Sequence, residues 1–110
     1  AIPPMLHFRS SFGTTCYCGK LYVVGGYSID QKPLRSAECL DLNNLEEGWE
    51  AMPNMKEERC ELVLTCHDGH LYAIGGKGFT DGEYLDLSNL SEGWKALPPM
   101  NEERLQGHVA

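Results

Sequence analysis

The chain of 110 residues repeats itself, and this repetition limits the possible folds more than any other feature of the sequence. The segment Leu21–Gly26, an apolar stretch that ends in two glycines, returns as Leu71–Gly76. Further along, Leu40–Trp49 returns as Leu85–Trp94, with apolar, acidic and glycine residues in the same order. Repetition at this spacing is typical of architectures in which copies of one supersecondary unit stack side by side.

A third, partial copy is marked by the segment Pro-x-Met-x-x-x-Arg, which ends at Arg9, Arg59 and Arg104. The spacing from Arg9 to Arg59 is 50 residues, whereas that from Asp41 to Asp86 is 45 residues. One loop must absorb the difference, and it lies between the double glycine and the Leu-Asp-Leu segment. Variation of this kind is expected in a surface loop, and such loops commonly carry binding residues.

Short stretches of alternating β-branched, aromatic and polar residues, separated by Gly, Pro, Asn and Asp, predict four strands in each copy. No stretch shows the 3.6-residue period of an amphipathic helix over a useful length. Asp68-Gly69 is a two-residue hairpin signal between the first two strands of the second copy. The strands, named A to D, are predicted at about residues 10–17, 20–25, 36–42 and 49–52, and again at 60–67, 70–75, 83–87 and 94–97.

Four antiparallel strands repeated every 45 to 50 residues predict the blade of a β-propeller. The strand that ends in a double glycine, the tryptophan after strand C (Trp49 and Trp94) and the Pro-x-Met-x-x-x-Arg segment together resemble Kelch repeats. The chain departs from many Kelch repeats in having Leu-Asp-Leu where they have Tyr-Asp-Pro. The predicted fold class is all-β, with two four-stranded antiparallel Kelch blades of a propeller, and the resemblance implies a ring that typically has six blades.

This organisation divides the chain into four parts. We assign residues 1–9 to the end of a preceding repeat, 10–55 to blade 1, 56–100 to blade 2 and 101–110 to the start of a further innermost strand. A blade buries both faces against its neighbours, so two blades alone leave apolar surface in water. We therefore expect further blades in a longer polypeptide, or a homo-oligomer in which a trimer is the natural symmetric solution.

Charge and hydropathy argue against two classes of partner. The formal net charge is −7, and no cluster of Lys and Arg provides the counterion release that drives nucleic-acid binding. No apolar run approaches the roughly 20 residues that a membrane-spanning helix needs. We expect neither nucleic acid nor membrane as a partner.

The cysteines and histidines do not predict a metal site or a disulfide framework. The five cysteines lack the even, close spacing of a stapled secreted domain, which favours a reducing compartment and a cytoplasmic location. His67 and His70 flank a tight turn with Cys66 beside them, but Cys66 points to the other side of the strand and a fourth ligand is missing. We expect no metal and no cofactor.

Residues that recur in register are expected to be structural, because a position shared by successive blades serves the common framework. The glycines serve close backbone approach, the aromatics pack within and between blades, and the arginines pair with carbonyls or acids between blades. The set comprises Gly25, Gly26, Gly75, Gly76, Tyr22, Tyr72, Trp49, Trp94, Arg9, Arg59 and Arg104.

The predicted binding surface lies at one edge of the blades. Because strand direction alternates, the B-to-C and D-to-A loops emerge together, and we call this the upper edge. The resemblance to Kelch substrate receptors implies that positions just after the double glycine and just after the repeated arginine contact the partner. Acidic residues of the second D-to-A loop add to this surface and favour a basic or mixed peptide. The expected contacts are Ser10, Ser11, Tyr27, Ile29, Lys77, Phe79, Cys60, Glu61, Glu57 and Glu58.

No nucleophile with an adjacent base, carboxylate pair or metal set points to catalysis, so we expect no catalytic residue and no enzyme activity. The resemblance implies a protein-interaction module that serves as the substrate-recognition part of a cullin-type ubiquitin ligase adaptor. An actin-associated scaffold is the competing binding function. An enzyme of the epimerase or copper-oxidase type remains the alternative on the same fold, because fold does not fix function.

Overall fold

A computed structural model describes residues 2–78 and 81–98 and contains two four-stranded antiparallel sheets, each with its strands in chain order. The two sheets confirm the predicted all-β class and the pair of four-stranded blades. The expectations for Phe79, for Arg104 and for residues 101–110 lie outside the described residues. Blade 1 contains β1 (Gly13–Tyr17), β2 (Lys20–Val24), β3 (Ala37–Asp41) and β4 (Trp49–Met52), and blade 2 contains β5 (Val63–His67), β6 (His70–Ile74), β7 (Gly82–Asp86) and β8 (Lys95–Ala96).

Within each blade, the connections follow from local sequence. The turns Cys18-Gly19 and Asp68-Gly69 have positive φ at both residues, which matches the twist of a two-residue hairpin. The longer C-to-D connections each contain one turn of 3₁₀ helix, Leu45–Glu47 and Leu90–Glu92. A helix of one turn has no amphipathic period, which explains why the sequence pattern did not predict it.

The innermost strands begin three residues later than the sequence suggested. Ser11 and Glu61, at equivalent positions of the repeat, have φ values of 52° and 56°. A left-handed residue interrupts an extended strand, so β1 starts at Gly13 and β5 at Val63. The residues before each break remain part of the D-to-A loops and lie at the upper edge.

Blade 1 and blade 2 pack face to face through alternate residues of their strands. Tyr22 and Val24 of β2 belong to the same buried cluster as Leu64 and Leu71 of blade 2. Burial raises the pKa of Tyr22 to about 12. Gly13 permits the closest approach of the innermost strands, since a Cβ there would lie 2.8 Å from that of Leu64. The seam between the blades is therefore a continuous apolar core.

The other face of blade 1 carries a second, smaller cluster. Val23, Leu40 and Trp49 are buried there, and a groove of about 430 Å³ opens beside them. The equivalents of Val23 and Leu40 in blade 2, Ala73 and Leu85, are fully buried under blade 1. The repeat therefore identifies the groove as the position that a preceding blade occupies in a propeller.

The two tryptophans occupy equivalent positions. Trp49 donates its indole N–H to the Pro3 carbonyl at 2.8 Å, and Trp94 donates to the Pro53 carbonyl at 2.9 Å. The tyrosines differ, because Tyr22 is buried in the seam whereas Tyr72 is half-buried on the open face of blade 2 and stacks on Tyr84, with ring centroids 6.1 Å apart. Each indole thus fixes the chain just before a D-to-A loop.

A buried ion pair supports each D-to-A loop from below. In blade 1, the Arg9 guanidinium contacts the Glu38 carboxylate at 2.9 Å and donates to the carbonyls of Gly25 and Ser36. The same carboxylate accepts the main-chain N–H of Leu6 at 2.6 Å and of the following residue at 3.1 Å. Both charged side chains are almost fully buried, and these bonds compensate for their loss of solvation.

Blade 2 repeats this arrangement. Glu83 accepts the Nε–H of Arg59 at 3.1 Å and the N–H groups of Lys56 and Glu57 at 2.6 and 3.0 Å. Arg59 also contacts the Asp81 carboxylate at 3.0 Å, at the position where blade 1 has a serine. We expected these arginines to pair between blades, but among the described residues each guanidinium bonds to strand C and to the double glycine of the blade that follows it in the chain. The Arg59 main chain bonds across the seam, where its carbonyl accepts from Gly26 N–H and its N–H donates to the Leu34 carbonyl.

Replacement of Glu83 by Gln will destabilise the protein by about 3 kcal/mol, because it removes the buried counter-charge of Arg59 and leaves the half-exposed Asp81 carboxylate to balance the guanidinium. The matched control is Glu50→Gln, which changes an exposed carboxylate of β4 and should shift the free energy of unfolding by less than about 0.5 kcal/mol. Urea denaturation followed by tryptophan fluorescence measures both. Equal free energies for the two variants would contradict the assigned role of Glu83.

Gly25 has a φ of 66°, and a Cβ at this position would overlap the Arg59 carbonyl across the seam. Gly48 has a similar φ of 71° but open space around it. Gly48→Ala therefore isolates the backbone cost, about 1–3 kcal/mol. Gly25→Ala should cost roughly 2 kcal/mol more, because blade 2 must also move away. Thermal and urea unfolding of the two variants provide the comparison, and indistinguishable stabilities would mean that the seam is looser than described.

Candidate functional site

The residues after the repeated arginine and after the double glycine pair with each other at the upper edge. In blade 1, Ser10 and Tyr27 exchange main-chain hydrogen bonds of 3.1 and 2.8 Å. In blade 2, the N–H of Lys77 donates to the Cys60 carbonyl at 2.9 Å. The two sets of predicted contacts thus come together in both blades, at the inner end of each D-to-A loop.

Main-chain bonds also connect the upper edge across the seam. The N–H of Glu61 donates to the Ser11 carbonyl at 2.8 Å, which joins the two left-handed residues of successive blades. Met55 N–H donates to the Arg35 carbonyl at 2.7 Å, which attaches the B-to-C loop of blade 1 to the D-to-A loop that leads into blade 2. These bonds hold the loops of two blades as one surface.

Tyr27 links the loops through its side chain as well. Its hydroxyl donates to the Glu61 carboxylate at 2.9 Å. Hydrogen bonds to the Cys60 thiol and then to the Glu61 carboxylate raise the pKa of Tyr27, because both disfavour the phenolate. Cys60 differs from the other predicted contacts because it is 4% exposed. Its position beneath the surface suits support of Tyr27 better than direct contact with a partner.

The B-to-C loop of blade 1 is ordered by local hydrogen bonds. Ser28 Oγ accepts the N–H groups of Asp30 and Lys32 at 3.2 and 3.3 Å, and Gln31 has a φ of 63°. This turn leaves Ile29 73% exposed at the tip of the loop. An isoleucine held in water by an ordered turn is available for contact with a partner.

The upper edge has two further features, of which the first was not predicted from the sequence. The buried carboxylates Glu38 and Glu83 set the path of the D-to-A loops, and their recurrence 45 residues apart was the signal that could have identified them. Leu6 and Phe8 are 52% and 55% exposed on the first of these loops. Glu57 and Glu58 are exposed at the corresponding part of the second loop. The upper edge therefore combines apolar and acidic surface.

The His67 to His70 turn does not assemble a metal centre. His67 Nε2 lies 3.4 Å from Asp68 Oδ2, and both side chains are exposed. Within residues 2–78 and 81–98, no group of three or more His, Cys, Asp or Glu side chains has the geometry to hold a metal ion. The helices in this part of the chain are too short to cross a membrane.

Comparison with known proteins agrees with this architecture. A model of the Kelch motif matches residues 9–56. The chain is 38% identical to Kelch-like protein 41a of Danio rerio over 68 residues. This match covers 62% of this chain and 11% of that protein. The chain is 32% identical to Kelch-like protein 40 of Xenopus tropicalis over 82 residues. This match covers 74% of this chain and 13% of that protein. The chain thus spans only a small part of these relatives.

A solved structure described as that of YjhT superposes with a TM-score of 0.72 at 19% identity, over 87% of this chain and 28% of that one. At this identity the likeness concerns the fold alone, and it agrees with two blades of a β-propeller. The matched motif, the relatives and the repeated blades lead to one conclusion: the chain belongs to the Kelch-repeat family.

Proposed function

We propose that this chain is a non-catalytic interaction module that binds a peptide or protein through the upper edge of its Kelch blades. The observation that carries the proposal is the bonded surface formed by Ser10, Tyr27 and Glu61, in which loops of two blades are fixed to each other. A rigid loop surface loses little conformational entropy on binding. The similarity to Kelch-like proteins supports a protein partner rather than a small molecule.

Within this role, we propose substrate recognition for a cullin-type ubiquitin ligase in the cytoplasm. This role is suggested by the similarity to Kelch-like proteins, and it concerns the parent protein as a whole. The alternative role is that of a scaffold on actin filaments, and the experiment below distinguishes it from the ligase role.

A photo-crosslinking amino acid at Ile29, the exposed tip of the B-to-C loop, tests the binding surface in the parent protein. We expect a crosslinked partner at Ile29 and none at the control position Leu45, which is 37% exposed at the opposite edge. Crosslinking at Leu45 alone would contradict the proposed surface. Recovery of cullin subunits with the crosslinked complex supports the ligase role, whereas co-sedimentation with filaments and no recovered cullin would overturn it.

A further inference from the structure

The D-to-A loops of the two blades share one backbone arrangement but expose different chemistry. Leu6 and Phe8 of blade 1 correspond to Lys56 and Glu58 of blade 2. We call Leu6 and Phe8 the apolar patch; both side chains are more than half exposed on the same loop.

The equivalent positions of blade 2 show how a neighbouring blade affects exposure at the apolar patch. Blade 1 flanks blade 2 on the side where a preceding blade would flank blade 1, and Lys56 and Glu58 are still exposed beside it. The buried glutamates hold the two loops by the same main-chain bonds. From this correspondence we infer that the patch also faces solvent when a preceding blade is present, unlike the groove beside Trp49, where the repeat places another blade.

An acidic surface lies on the D-to-A loop of the neighbouring blade. It consists of Glu57, Glu58 and Glu61, all exposed, and Lys56 offsets one of these charges. Tyr27 connects the two regions, because its main chain pairs with Ser10, two residues after the apolar patch, while its hydroxyl bonds to Glu61. We call these three carboxylates the acidic patch.

We propose that the partner segment presents a bulky apolar side chain close to a basic one. The apolar side chain covers Leu6 and Phe8, and the basic side chain pairs with the acidic patch. This inference rests on the proposed function of the upper edge and states which partner chemistry that edge selects. An acidic partner would place like charges together, and a wholly polar one would leave the apolar patch in water. An apolar anchor bordered by charged contacts is a common arrangement in protein interfaces.

The probes are fluorescein-labelled Gly/Ser peptides that carry one Trp and one Arg, separated by about two to six residues so that the reach of an extended chain is sampled. Fluorescence anisotropy with the full chain measures the dissociation constants. We expect one spacing to bind best. Replacement of its Trp by Ser or its Arg by Glu should each weaken binding about tenfold, which corresponds to about 1.4 kcal/mol.

Variants of the protein assign each half of the peptide to its patch. In L6S/F8S, the Trp of the peptide should no longer affect affinity while the effect of Arg remains. In E57Q/E58Q/E61Q, the Arg of the peptide should no longer affect affinity while the effect of Trp remains. The two results together form a double-mutant cycle. All five positions are exposed, so these variants should keep the fold, and amide chemical shifts confirm it. The matched controls are L42S/L45S and E46Q/E47Q, at exposed positions of the opposite edge.

The outcomes separate this inference from the function on which it rests. If Trp–Glu peptides bind as well as Trp–Arg peptides, or if no peptide of the set binds, the proposed partner chemistry is wrong. Crosslinking at Ile29 then remains the test of whether the upper edge binds a partner. If the opposite-edge controls reduce binding and the upper-edge variants do not, both the inference and the proposed function are wrong.

Discussion

A buried carboxylate beneath each D-to-A loop is the interaction on which the rest of the structure depends. Glu38 and Glu83 each bind an arginine and two main-chain N–H groups, so one side chain satisfies donors from a loop that otherwise lacks regular structure. Burial of a charged pair is costly, and the cost is offset only when the remaining donors and acceptors are also bonded. The arrangement therefore fixes the loop in one conformation. The fixed loop in turn positions the residues that bond across the adjacent seam.

From this support follows the geometry of the upper edge. The loop leads into a left-handed residue, Ser11 or Glu61, before the innermost strand begins, and the two left-handed residues bond to each other across the seam. Tyr27 then bonds to Glu61 from the other loop. The result is a surface in which sequence can vary at exposed positions without change in the backbone, as Leu6 and Lys56 illustrate. One framework can therefore present different side chains at the same exposed loop positions.

Recurrent residues made most of the fold predictable. The double glycines, the tryptophans and the hairpin signal at Asp68 predicted the strands and their order, because these residue types have few structural alternatives. The buried glutamates escaped prediction, since a glutamate in a strand normally faces water and only its partners show otherwise. The positive φ of Glu61 was equally unpredictable, because a residue of this type rarely adopts it. Strand direction predicted that Ser10 and Tyr27 lie at the same edge. The bond from Tyr27 to Glu61 could not be predicted, because it depends on how the two blades pack against each other.

Two kinds of exposed apolar surface must be distinguished in a protein of this architecture. The groove beside Trp49 matches a surface that is covered between blade 1 and blade 2, so it belongs to the framework. Leu6 and Phe8 match positions that stay exposed beside blade 1, so they belong to the upper edge, where we propose that a partner binds. The repeat itself provides this distinction, because each blade acts as the internal control for the other.

Amide hydrogen exchange at Lys56 and Glu57 tests the central claim most directly. Both side chains are exposed on a surface loop, yet their N–H groups bond to the buried Glu83 carboxylate. The account predicts that these two amides exchange as slowly as those of β6, because their exchange requires the blade to open. Exchange at the rate of an unstructured loop would show that the carboxylate does not hold the loop, and the description of the upper edge as a fixed surface would be wrong.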